Sequence, residues 1–264
     1  MKHAAPTRTL LALYTAMVAF VLIAPTVVVI PLSFTDKASL TFPPSGWSTR
    51  WYENFFNDPA WTAAFGNSLT VALIVTVVAT AAGTAAAVGV SKWSRKRMAK
   101  AAQMFLLAPI VVPSIILAIG VYAIFLRLQL LGTLPGFVLA HSVLAVPFVL
   151  VSVSAALAGF DDRLTTAAAS LGADRWTTFR RVMLPLILPG VVSGALFAFV
   201  TSFDEVVLSI FIKSPYLETL PVKMYASVTR DTDPTIAAAA TMIMLLTTVI
   251  IAVGLLSMRR KKIA

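Results

Sequence analysis

Six stretches of this chain are apolar and nearly free of charge over lengths that cross a lipid bilayer: residues 10 to 33, 66 to 90, 102 to 126, 137 to 159, 186 to 212 and 236 to 258. Roughly 20 such residues in a helix span the hydrocarbon layer, and a helix is favoured there because it satisfies its backbone polar groups internally. The runs predict an all-α membrane protein of six transmembrane helices. Composition agrees, with 59% hydrophobic and 12% charged residues and a mean hydropathy of +0.89. Pro25, Pro109, Pro113 and Pro147 lie inside these runs and predict kinks. The first run follows Lys2 and Arg8, is long, and has no clear small-residue cleavage site before Thr35, so it reads as a retained helix.

The whole chain, residues 1–264, reads as one transmembrane domain without linker, low-complexity tract or internal repeat. Cysteine is absent, and neither His3 nor His141 is near carboxylates at ligand spacing, so no metal site is expected. His141 has no sequence neighbour to orient it as a catalytic base and reads as an interhelical hydrogen-bond donor; an enzyme is not expected. With the N-terminus on the cytoplasmic side, fifteen lysines and arginines fall on that side and six on the other. By the positive-inside rule both termini are cytoplasmic. The net charge of +10 therefore reflects topology and attraction to anionic lipid, and no nucleic-acid partner is expected.

Small residues recur every fourth position at Gly190, Gly194 and Ala198 and at Ala81, Ala85 and Gly89, and are expected to pack within the bundle. In the longest outer loop, residues 35 to 65, Trp47, Trp51 and Phe55 repeat at helical spacing beside Tyr52 and Phe56, with Trp61 following. Two readings stand: a helix at headgroup level, or a face that receives a soluble partner. Residues 213 to 235 form the other outer loop.

Two segments break the apolar pattern. In the first, residues 161 to 171 favour a helix that Gly172 ends in a left-handed cap, and Asp174 caps a second short helix. Trp176, Phe179, Val182 and Met183 then share one face, with Arg175, Thr178 and Arg181 turned away, until Pro185 and Pro189 open the fifth spanning helix. By pattern alone this is either a helix resting on headgroups or a handle for another protein. In the second, Asp204 and Glu205 interrupt the fifth run, where each charge costs roughly 2.5 to 3.5 kcal/mol at the bilayer centre. A cavity-facing pair, or partners of Arg127 or Lys213, are both open readings.

The run "AASLGADRWTTFRRVMLPLILPG" resembles the cytoplasmic loop of permease subunits of binding-protein-dependent ABC importers, whose pattern is Glu-Ala-Ala, three residues, Gly, and later an isoleucine-like residue, any residue, and Leu-Pro. Ala167, Ala168, Gly172, Val182, Leu184 and Pro185 match it. Thr166 departs from it, standing where the family usually has glutamate, and Asp161 or Asp162 is the expected substitute charge. "GWSTRWYENFF", "NSL", "LAPIVVPSIILAIG", "HSVLAVPFVL" and "SFDEVVLSIF" extend the likeness over most of the chain, toward the spermidine and putrescine branch.

The resemblance implies a type I-like importer permease, with a coupling-helix loop at about residues 160–185 between helices 4 and 5. It implies ATPase contact through Thr166, Ala167, Ala168, Gly172, Ala173, Asp174, Trp176, Phe179, Arg180, Leu184 and Pro185. It also implies two cytoplasmic ATPase subunits that bind ATP and Mg, a second permease expected to be a different chain, an extracytoplasmic solute-binding protein, and residence in a bacterial inner membrane. This chain itself has no Gly-rich phosphate loop ending in Lys-Ser/Thr, so its energy comes from elsewhere. A polyamine needs carboxylates with aromatic faces nearby, and Asp204, Glu205, Phe203 and Phe199 are the candidates for the solute path. The competing class, a secondary transporter or channel not driven by ATP, is disfavoured by the coupling loop and by the lack of inverted repeats.

Overall fold

The computed structural model describes residues 4–93, 95–230 and 233–260. Among them the chain is helical, with two isolated β-bridges, Thr35 to Trp47 and Ser214 to Leu217. The helices are α1 (Ala4–Leu32), α2 (Arg50–Asn57), α3 (Pro59–Ser91), α4 (Lys96–Val111), α5 (Ser114–Leu128), α6 (Leu134–Ala158), α7 (Arg163–Ser170), α8 (Arg175–Thr178), α9 (Leu184–Phe203), α10 (Val207–Ile212), α11 (Leu220–Arg230) and α12 (Thr235–Arg260). Contacts divide the chain into two units, one of residues up to Thr62 with Met224–Leu246, the other of Ala63–Lys223 with residues from Thr247 onward.

In the first unit α1 buries no part of its apolar window; Leu10, Phe20 and Leu22 are about as exposed as Tyr14, which suits a helix whose solvent is lipid. The outer loop turns much of its aromatic content inward. Trp51, Phe55 and Trp61 are buried, and the Trp51 indole N–H donates to the Thr35 carbonyl at 2.8 Å. Asn54 donates to Thr235 Oγ1 at 2.8 Å. The aromatic face of α2 is thus satisfied inside its own chain, while Phe42, Trp47 and Phe56 of the loop face outward. An indole buries well once its N–H has a partner, and the loop carbonyl supplies it.

Over the described residues five spans pass by length and composition, or six if one bent pair, in the second unit, counts as a span. That pair corrects the third predicted helix. Instead of a kinked rod over residues 102 to 126, α4 and α5 meet at 101°. Pro113 has no N–H to continue the ladder, and Val112 before it is extended, with ψ of 128°.

The fifth run is also split: α9 stops at Phe203 with Asp204 as its C-cap, and α10 starts afresh at Val207. At its other end α9 begins without a break, because α8 passes through a π-helical turn, Phe179–Met183, into it.

The core joins α6 to α9. A Cβ on Gly190 would lie 2.6 Å from Ala156 Cβ and 2.8 Å from the Ser152 carbonyl oxygen, so the small-residue stripe through Gly190, Gly194 and Ala198 packs within the bundle as expected. The stripe Ala81, Ala85 and Gly89 does not. Val75, Ala79 and Ala87 are among the buried positions of α3, and residues two places away point about 200° round the helix, so that stripe faces outward.

Candidate functional site

The coupling segment is built from backbone motifs. Asp161 Oδ1 accepts from the Arg163 N–H at 2.9 Å and starts α7. At its end Gly172 takes φ +83°, the Gly172 N–H donates to the Ala169 carbonyl at 3.0 Å, and the Ala173 N–H donates to the Ala168 carbonyl at 3.0 Å. That is a Schellman close, which satisfies carbonyls a helix end leaves open.

Two residues later Asp174 Oδ1 accepts from the Thr177 N–H at 2.8 Å. This bonding to Thr177 holds the Asp174 carboxyl below the usual range. The helix then widens by the π turn and continues as α9. Leu184 and Pro185 lie on the first turn of α9, so α8, the π turn and α9 form one continuous helix.

The side chains depart from expectation at one position. Thr178, expected to face away, is buried, as is Met183, whereas Arg175, Arg180 and Arg181 are exposed. The π turn inserts a residue into the 3.6 period, which rotates the face that a regular helix would present. Trp176 is 65% exposed and stacks on Phe179 at 5.7 Å between centroids. Both rings line a groove of about 680 Å³ with Thr80, Thr84 and Leu184.

Thr166 is exposed, as is Ala167, while Ala168 and Ala173 are half-buried. Of the two substitute acids, Asp161 is engaged in its cap, and Asp162 makes no side-chain cap bond. Sequence reasoning missed Leu171, which is 89% exposed at the apex of the turn. Its signal was a leucine directly before a capping glycine, at a turn between two short helices.

The acidic pair sits at the α9–α10 break, and its members differ. Glu205 Oε1 accepts from the Leu208 N–H at 2.8 Å and so caps α10. Among the described residues no hydrogen bond or ion pair engages the exposed Asp204 carboxylate. Lys213, a partner considered for the pair, instead binds Glu218 at 2.6 Å.

His141 of α6 locks the break from behind. Ser209 gives its hydroxyl proton to the Glu205 carbonyl at 3.0 Å, so its oxygen accepts from His141 Nε2–H at 3.0 Å. In a neutral imidazole Nδ1 then accepts from the Ser202 hydroxyl at 3.0 Å. The histidine thus joins helices, as its place in an apolar run predicted. Phe199 and Phe203 require correction: both are buried and stacked on each other at 5.4 Å. Phe65 meets Phe203 edge-on, so these rings support the break and offer no open face to a cation.

The family described as the binding-protein-dependent transport system inner membrane component matches residues 79–262. The chain belongs to this family. It is an ABC importer permease, embedded in a membrane through its apolar helices. The spermidine/putrescine transport system permease protein PotC of Haemophilus influenzae is 32% identical over 237 residues, covering 89% of this chain and 91% of that protein. The putrescine transport system permease protein PotI of Escherichia coli K12 is 33% identical, covering 84% and 81%.

Among solved structures, a bacterial ABC transporter involved in import of the acidic polysaccharide alginate superposes with a TM-score of 0.74 at 16% identity, covering 96% of this chain and 95% of that one. The MetNI methionine ABC transporter gives 0.59 at 19% identity, covering 77% and 98%. At such identities the likeness shows the shared fold.

Proposed function

We propose that this permease passes a small cationic solute of the polyamine type, with ATP hydrolysis supplied by separate subunits. The observation that carries the solute class is the unengaged Asp204 carboxylate at a helix break held open by His141 and Glu205. A carboxylate placed there, with no cation among the described residues to pair it, is balanced when an ammonium group passes. The names of the sequence relatives point the same way, toward spermidine and putrescine. Phe199 and Phe203 set the break from behind, and Glu205 fixes the backbone that presents Asp204.

In this reading two cytoplasmic ATPase subunits bind ATP and Mg and grip the segment of about residues 160–185. Leu171, Trp176, Arg180 and Asp162 form the reachable surface, with Thr166, Ala167 and Ala168 on α7. Closure of the ATPases displaces α7 and α8, and the unbroken path through Leu184 and Pro185 tilts α9 as a rigid element. Gly172, Ala173 and Asp174 hold the bend that makes the pair one body. A second permease, a different chain, completes the path, a solute-binding protein delivers from outside, and both termini are cytoplasmic in a bacterial inner membrane.

The test is uptake of labelled spermidine or putrescine into vesicles loaded with ATP, with the assembled importer and its binding protein. Uptake that needs hydrolysable ATP and saturates with the diamine or triamine supports the reading. Uptake unchanged without ATP removes it.

A further inference from the structure

A cavity of about 620 Å³ lies where the C-terminal ends of α3 and α6 meet the start of α4, a size typical of small-molecule sites, roughly 300 to 1,000 Å³. Its chemistry is divided. Ala87, Val90, Leu157 and Ala158 give it an apolar floor, while Lys96, Lys100 and Gln103 form one stripe of α4 across from Ser91 and Ser154. Trp93 stands at the rim, 46% exposed.

The two lysines are four residues apart on one helix face, an arrangement in which like charges repel. Among the described residues no carboxylate pairs with either lysine; the acids that follow the α6 wall of the cavity are Asp161, whose Oδ1 accepts from the Arg163 N–H, and Asp162. Among the described residues the ion pair formed is Lys213 with Glu218, elsewhere in the chain. Arg95 and Arg97 add to the same field.

We infer that this cavity binds the headgroup of an anionic phospholipid, its phosphodiester between Lys96 and Lys100. Three features favour a lipid over a free anion. The site lies at the ends of two spanning helices. Trp93 is of the type enriched where bilayer meets water. Beyond Gln103 the next residues of α4, Met104 and Phe105, are 66% and 79% exposed, an apolar track for acyl chains leading away from the lysines. Basic pockets between spanning helices are known to take such headgroups. An occupied site ties the root of α4 to α3 and α6, steadying one arm of the 101° bend. The inference places the lipid in the inner leaflet because it rests on the cytoplasmic orientation proposed above.

The experiment is native mass spectrometry of the detergent-extracted importer complex, titrated with phosphatidylglycerol and with phosphatidylcholine. Preferential retention of phosphatidylglycerol is expected, and Lys96→Gln with Lys100→Gln should weaken it at least tenfold. Lys92→Gln with Arg97→Gln, which removes equal charge outside the cavity lining, should change it less than threefold. Equal losses in the two double variants overturn a built site. Displacement of the lipid by millimolar glycerol phosphate overturns the lipid assignment, as does loss of the copurifying ATPase with lipid retention intact. Labelling of Lys96 and Lys100 by an impermeant amine reagent in sealed vesicles reports the leaflet separately. Labelling from outside corrects the orientation and leaves the headgroup site standing.

Discussion

The coupling segment and the acidic break both interrupt an apolar pattern, yet they are held by opposite means. The bend at residues 161 to 174 is a property of the backbone: a left-handed glycine, two carbonyl closures and a helix cap, with exposed side chains around them. The break at residues 203 to 207 is a property of buried side chains, with His141 bridging two serines and Glu205 capping the next helix. A backbone device tolerates surface substitution and fails at one or two positions. A side-chain lock loses stability with almost any member removed, while the group it presents can be exchanged freely.

The largest effect should come from Gly172→Val. A Cβ there meets nothing within 4 Å, so the penalty is conformational, about 1 to 2 kcal/mol for a left-handed residue and worse for a β-branched one. Rather than bear it, the turn should change shape and disengage the bend from its motor. ATP-driven uptake should fall tenfold or more while the complex still assembles and hydrolyses ATP; undiminished uptake would break the view that the backbone carries the coupling. Asp204→Asn should follow, lowering uptake of a dication about tenfold with the melting temperature unchanged, because no partner is lost. Glu205→Ala should reverse that pattern, with a lower melting temperature and a smaller loss of uptake, since it removes the acceptor that caps α10.

His141→Ala probes the lock itself. It strands the Ser202 hydroxyl and leaves a void at a residue that is 1% exposed, a loss of about 2 to 4 kcal/mol. Thermal unfolding in detergent reads it, and an unchanged midpoint would show that the break is held by something else.

The contrast also explains what the sequence could say. Gly172 and Asp174 were legible because left-handed caps and helix N-caps are local: residue type and spacing over a few positions decide them. The split at Asp204 was visible as charge in an apolar run, but the division of labour between Asp204 and Glu205 was not: the Glu205 cap on Leu208 is local, yet the helix break that calls for it is held by His141, distant in sequence. The π turn was hidden for another reason. It inserts one residue without any signature of composition, and it moved Thr178 from the expected outer face to the interior. The 101° bend was half legible: Pro113 announced a disturbance, but whether a proline kinks a helix or ends it depends on what packs around the freed carbonyls.

The smallest effect, and the finest test of the contrast, is at Asp174. Its folded carboxyl titrates below the ordinary carboxylate range because the charged form accepts from Thr177. A depressed folded value means the cap contributes its full stability above the unfolded pKa and loses it as pH falls through the folded one. Asn caps about as well as Asp and carries no proton to gain. Asp174→Asn should therefore match the wild type in coupling at neutral pH and remove part of the decline in acid, measured as ATPase stimulation by solute from pH 7 down to the limit of complex stability. Asp174→Ala should be weaker at every pH. If Asn and Ala behave alike, the side chain of residue 174 contributes through its charge to the ATPase surface, and the bend is held by the Gly172 closure alone.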